Sequence, residues 1–85
     1  MSVTIFIGNL AFDAAPIDVE QLCTPFGHVV RVSIPPANRP GFGHRGFCFV
    51  EFADEAAAHR AVNELDGTVF FERPLRVTYA TEGQR

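Results

Sequence analysis

Residues 45–52, which read RGFCFVEF, place aromatic side chains between charged ones in a pattern that could bind a ligand with a π-face. A strand has a period of two, so its side chains alternate between two faces. One face would carry Arg45, Phe47, Phe49 and Glu51, and the other Cys48, Val50 and Phe52. Two phenylalanines therefore stand between an arginine and a glutamate on a face where water would be expected, and aromatic rings can stack on planar groups.

Phe6 stands in the same way on the polar side of an earlier strand. Aromatic side chains exposed together form an apolar patch that a monomer normally avoids unless something covers it. Two interpretations follow: a further segment or a dimer partner packs on the rings, or the rings bind the π-faces of nucleobases. The arginine beside the rings favours the second.

Other chemistry finds little support in the residue pattern. Cys23 and Cys48 form no C-x-x-C pair, and His28, His44 and His59 lack metal-ligand spacing. We therefore expect two buried, reduced thiols, surface histidines, and neither a metal nor a cofactor. No helix is predicted after the glycines of GFGHRG, so this stretch is not a phosphate-binding loop.

Composition and charge limit the function further. The 85 residues are 47% apolar and 20% charged, which predicts one small folded domain, and the net charge is −3. That charge argues against a function that depends on bulk attraction to nucleic acid or to a membrane. All seven basic residues are arginine. The start of the chain lacks the features of a secretory signal and no long apolar run occurs, so we expect an intracellular protein outside the membrane.

The elements that must position these residues follow from periodicity. Alternating Val3, Ile5 and Ile7 predict a first strand, and Pro16 begins a helix that stops near Gly27. A β-branched strand and a proline-rich loop precede RGFCFVEF, and Asp54 then caps a second helix. A turn at residues 72–74 leads to a last strand over 75–80. The order βαββαβ predicts an α+β, ferredoxin-like sandwich with a four-stranded antiparallel sheet and two helices on one face, leaving the aromatic rings on the open face.

Two motifs resemble one family closely. RGFCFVEF resembles the octapeptide of the RNA-recognition motif at seven of its eight positions, and IFIGNL, residues 5–10, is similar to the family's other signature. The resemblance covers roughly residues 3–81, so we expect one domain over residues 1–85 with a frayed tail at 82–85.

The resemblance implies specific roles on the open face. Phe6 and Phe49 would stack two successive bases, Phe47 would contact sugars, and Arg45 would pair with phosphate. Cys48 replaces the family's glycine or alanine but points to the core. Further candidates for RNA contacts are Asn9, Arg31, Ser33, Phe42, Glu51, Arg76, Thr78 and Ala80. Phe42 could equally pack on the prolines of its own loop.

The expected function is non-catalytic binding of single-stranded RNA by a monomer, in RNA processing or post-transcriptional regulation, in the nucleus or cytoplasm. The alternative is a module of the same fold that binds a protein partner through the sheet face or a helix. An enzyme on this layout would need an anion-binding loop and a catalytic pair, and GNLAFDAAP offers too few donors.

Overall fold

A computed structural model of the chain describes residues 2–35 and 46–80. The proline-rich loop with Phe42 and Arg45, and the predicted tail at 82–85, lie outside the described residues. The elements are β1 (Val3–Gly8), α1 (Pro16–Cys23), a 3₁₀ turn (Thr24–Phe26), β2 (Val29–Ser33), β3 (Phe47–Phe52), α2 (Glu55–Leu65), β4 (Val69–Phe70), β5 (Arg73–Pro74) and β6 (Arg76–Tyr79).

The main sheet has four strands in the order β2-β3-β1-β6, and all of its pairings are antiparallel. Both helices cover one face of this sheet. The predicted α+β, ferredoxin-like βαββαβ sandwich is therefore confirmed. It has one elaboration, because β4 and β5 form a separate two-stranded hairpin before the last strand of the main sheet.

The core lies between the helices and the covered face of the sheet. The period of two predicted this face: its buried strand residues are Ile5, Ile7, Cys48, Val50, Phe52 and Val77. The helices contribute Val19, Cys23, Ala57, Ala58, Ala61 and Leu65. Burying this apolar surface removes it from water, and each large side chain so buried stabilises the fold by about 1.5–3 kcal/mol.

The helix starts follow local hydrogen bonding. Asp54 caps α2 as predicted, because its Oδ1 accepts from the Ala57 N–H at 2.8 Å. Ala15 precedes α1 and has no capping side chain, and the Asp18 carboxylate instead accepts from the Ala15 N–H at 2.8 Å. The carboxylate thus satisfies a backbone donor that the alanine could not.

The predicted turn at residues 72–74 was wrong in position. Phe71 and Glu72 form the turn with φ of 53° and 67°, and Arg73–Pro74 is strand β5. Two-residue hairpin loops of type I′ need positive φ at both central residues, and Asn-Gly is their usual signal. The sequence lacks that signal here, and Pro74, which the prediction places in the turn, is instead the partner of Val69 in the hairpin. The last strand also begins one residue later than predicted, at Arg76.

The part of the chain that the structure describes contains no helix long and apolar enough to cross a membrane.

Cys23 on α1 and Cys48 on β3 are free thiols that are fully buried, as predicted. Burial raises the pKa of Cys23 from 9.0 to about 12. Burial also raises the pKa of Cys48 to about 12, with a smaller contribution from Cys23. A raised pKa in the folded state means that the folded protein keeps its thiol protons where the unfolded chain loses them.

We expect a polar thiol reagent to label both cysteines slowly at neutral pH and rapidly in denaturant. The thiol contribution to stability should be fully present below pH 9 and should be lost as the pH rises towards 12. Labelling rates followed by mass spectrometry, and urea unfolding at pH 7 and pH 10, would check both statements. Rapid labelling of both thiols in the native protein would contradict the buried placement.

Candidate functional site

Three phenylalanines lie together on the open face of the sheet. Phe6 on β1 is the direct partner of Phe49 on β3, and Gly8 is the partner of Phe47. Residues that are directly opposite in an antiparallel pair point to the same face. The register of two central strands therefore brings together Phe6, Phe47 and Phe49, which we call the aromatic platform.

The rings of the aromatic platform contact one another. Phe6 and Phe47 are stacked with their centroids 5.7 Å apart and an interplanar angle of 30°. Phe49 meets the other two rings edge-on, at 5.6 Å from Phe6 and 5.9 Å from Phe47. Each ring is half-buried. The rings thus support one another in geometries that aromatic pairs prefer, and each keeps part of its surface open to solvent.

Gly8 makes room for one of these rings. A Cβ at this position would stand 2.8 Å from Cε2 of Phe6, which is closer than carbon atoms approach without displacement. Because Gly8 lies on the same face as Phe6 two residues further along β1, its missing side chain lets the Phe6 ring lie over the strand. The glycine of IFIGNL therefore allows the Phe6 ring to take its position on the open face.

Polar side chains surround the aromatic platform. Ser33 on β2 is the partner of Phe49, and Thr78 on β6 is the partner of Phe6. Arg31 is the partner of Glu51, and its Nε lies 3.8 Å from Glu51 Oε1. An exposed ion pair of this kind contributes little to stability, so both side chains could exchange it for a ligand. The open-face strand candidates that the structure brings together around the rings are Arg31, Ser33, Glu51, Arg76, Thr78 and Ala80.

Asn9 follows β1 with a φ of 58°, and its amide group is held by the β4–β5 hairpin. Its Nδ2 donates to the Pro74 carbonyl at 2.7 Å, and its Oδ1 accepts from Arg73 Nη2 at 2.6 Å. The side chain proposed for RNA contact thus joins the turn after β1 to the hairpin. A direct role for Asn9 in binding RNA stays a prediction.

Sequence reasoning missed Phe12 and Arg73. The guanidinium carbon of Arg73 lies over the Phe12 ring, 6.0 Å from its centroid, and Phe12 remains exposed. The two residues are far apart in the chain, and no strand or helix periodicity relates them. Only the tertiary structure therefore shows that they are in contact.

No group of three or more His, Cys, Asp or Glu side chains that could hold a metal ion occurs within residues 2–35 and 46–80. The aromatic platform and the polar side chains around it offer a ligand stacking surfaces and hydrogen-bonding groups.

Comparison with known proteins gives a consistent family signal. The sequence pattern of one family, described as the RNA recognition motif, matches residues 5–76. The putative RNA-binding protein RbpD of Nostoc sp. is 38% identical over 92% of this chain and 82% of its own length. The Multiple RNA-binding domain-containing protein 1 of Dictyostelium discoideum is also 38% identical over 95% of this chain, which spans only 9% of that protein.

A solved structure shows the same architecture. The crystal structure of the RNA binding protein PG1 superposes with a TM-score of 0.86 and 35% identity, covering 94% of this chain and 95% of that one. The chain thus matches some relatives over most of their length and others over one part of a longer protein.

Proposed function

The chain belongs to the RNA recognition motif family, and on that premise we propose that it binds single-stranded RNA by stacking bases on the aromatic platform. One observation carries the proposal. The rings of Phe6, Phe47 and Phe49 lie together on the open face, and each pair of ring centroids is at most 5.9 Å apart. Every nucleobase has a π-face, so such a surface accepts bases without covalent chemistry.

The roles of the individual side chains follow the family pattern. Phe6 and Phe49 each stack one of two successive bases, and Phe47 contacts the sugars between them. Arg45 pairs with a backbone phosphate. The edge-on angle of 61° between Phe6 and Phe49 inclines the two stacked bases to each other, which requires an unpaired and flexible strand.

The surrounding polar side chains give modest base preference. Ser33 and Thr78 flank the rings on opposite sides, where their hydroxyl groups can donate to or accept from base edges. Glu51 can accept from an exocyclic amine once its ion pair with Arg31 opens. Asn9, Phe42, Arg76 and Ala80 complete the set of candidate contacts.

We assign no catalytic step to this surface, and a monomer is sufficient for the binding that we propose. Because RNA is the proposed ligand, the protein would work inside the cell, in RNA processing or post-transcriptional regulation. The relatives named as RNA-binding proteins support this assignment.

The salt dependence of binding tests the proposal. With a net charge of −3, the domain can neutralise few phosphates, so stacking and hydrogen bonds must supply most of the affinity. We expect a plot of log affinity against log salt to have a slope of about −1 to −2, since each phosphate contact on a single strand contributes about −0.7. Arg45→Ala should make the slope shallower by about 0.7.

Duplex DNA is the matched control ligand in that titration. Its bases are paired and cannot lie on the rings, so it should bind poorly at every salt concentration. A steep slope with equal affinity for duplex DNA would mean that arginines alone hold the ligand, and it would overturn the proposal.

A further inference from the structure

A carboxylate lies on the open face next to the aromatic platform. Glu51 is two residues from Phe49 on β3, so the two side chains point to the same face of the sheet. Two residues along a strand span about 7 Å. Glu51 is also the direct partner of Thr4 on β1 and of Arg31 on β2. An anionic group therefore lies beside the ring on which we propose that a base stacks.

The carboxylate of Glu51 keeps its capacity to accept hydrogen bonds. The Nε of Arg31 is 3.8 Å from Oε1 of Glu51, which is longer than a hydrogen bond. The Arg31 side chain is 72% exposed, so solvent screens the ion pair and it contributes little. The Glu51 side chain is only 26% exposed. The carboxylate thus lies against the face of the sheet with two oxygens that can accept from a ligand.

A ligand that covers this carboxylate must supply N–H donors. A charged group that loses its water without gaining hydrogen bonds weakens a complex more than a neutral group does. A phosphate has no donor to offer and repels the carboxylate. On a single strand of RNA, the donors that can reach Glu51 are therefore those on the edges of the bases.

The four bases differ in the donors on their Watson–Crick edges. Guanine has two adjacent donors, N1–H and one N2–H, which match the two oxygens of a carboxylate in a bidentate, charge-assisted contact. Adenine and cytosine each have one amine beside a ring nitrogen that is an acceptor. Uracil has one N–H between two carbonyl oxygens. Guanine is therefore the base among the four that satisfies both carboxylate oxygens without bringing an acceptor against one of them.

We propose that Glu51 selects guanine as the base that stacks on Phe49. The guanine lies on the Phe49 ring with its Watson–Crick edge towards Glu51, whose two oxygens accept from N1–H and N2–H. Arg31 gives up its ion pair when the base enters. The inference rests on the proposed function, because it names the base that the aromatic platform prefers at one of its positions.

Inosine tests the contact without changing the protein. It keeps N1–H, O6 and N7 of guanosine but lacks the 2-amino group, so it offers Glu51 one donor instead of two. Affinities are measured by NMR titration for the tetranucleotide UUUU and for its variants with one guanine or one inosine at each position. We expect one position at which guanine binds about 5- to 150-fold more tightly than uracil, the value of a bidentate contact. Inosine at that position should lose most of the gain.

Glu51→Ala should bind the guanine and inosine tetranucleotides with equal affinity. Glu64→Ala is the matched control variant, because Glu64 is an exposed glutamate on α2, in the helix layer on the covered side of the sheet. Its removal changes the net charge by the same amount and should leave the wild-type ratio of guanine to inosine affinity unchanged. Using this ratio removes the general effect that a lost negative charge has on binding RNA.

Arg31→Ala identifies the side chain that recognises the base. Arginine also recognises guanine, but through O6 and N7, which inosine retains. Arg31→Ala should therefore keep the preference for guanine over inosine. Loss of this preference in Arg31→Ala would assign the guanine to the arginine and would overturn the role of Glu51. Equal binding of guanine and inosine by the wild-type chain, or a preference that persists in Glu51→Ala, would overturn it as well.

The same titrations separate this inference from the proposed function. If the wild-type chain binds none of the tetranucleotides, the proposed function itself fails. If it binds UUUU and guanine adds no affinity at any position, only the selection of guanine by Glu51 fails.

Discussion

Phe49→Ala is expected to lower the affinity for single-stranded RNA by about 1–3 kcal/mol, the contribution of one stacked base. Phe49 contacts both other rings of the aromatic platform and is half-buried on the open face. Its removal takes away a stacking surface and the ring contacts, but it opens no cavity in the core. We therefore expect a loss of stability of about 1–3 kcal/mol, the value of two aromatic pairs. Titration with a short oligonucleotide and urea unfolding measure the two quantities.

Phe49→Tyr is the control for the lost ring. Tyrosine keeps the π-face and adds a hydroxyl group that can point to solvent on the open face, so affinity should stay within a few-fold of the wild type. Affinity lost in Phe49→Tyr as fully as in Phe49→Ala would show that something other than the ring face binds the RNA. A Phe49→Ala variant that unfolds like a core truncation would invert the strand register on which the platform depends.

The sheet and its two faces could be predicted because side chains alternate along a strand. Phe6, Phe47 and Phe49 fall on the polar side of that alternation, and the register then places them together. The same rule placed Val50 and Phe52 in the core. A two-residue period can be recognised from the local sequence alone, so the sequence is sufficient to predict that these three rings share the open face.

The surroundings of the β4–β5 hairpin could not be predicted in this way. Phe71 and Glu72 adopt positive φ without the Asn-Gly signal that usually marks such a turn. Asn9 and Arg73 are 64 positions apart, and their hydrogen bond depends on how the hairpin folds back on the end of β1. The Phe12 and Arg73 pair has the same origin, because no local pattern relates residues on two separate connecting segments.

The second large effect concerns the opposite face of β3. Phe52 is fully buried among the core residues and lies three positions from Phe49 on the same strand. Phe52→Ala should cost about 3–5 kcal/mol in the free energy of unfolding, because the cavity adds to the lost transfer free energy. Small domains are stable by about 5–15 kcal/mol, so the variant should be partly unfolded or close to it.

Phe52→Ala and Phe49→Ala are the same substitution on the same strand, and they differ in the face of the sheet that they change. Urea unfolding should show a much lower midpoint for Phe52→Ala than for Phe49→Ala, with the slope unchanged. RNA titration under conditions where Phe52→Ala is folded should return nearly wild-type affinity, because the platform rings are untouched. Phe52→Leu, which leaves a smaller cavity, should lose less stability and allow the same titration if the alanine variant does not fold. A Phe52→Leu variant that is as stable as the wild type but has lost RNA binding would place Phe52 on the binding face and contradict the assignment of both faces of β3.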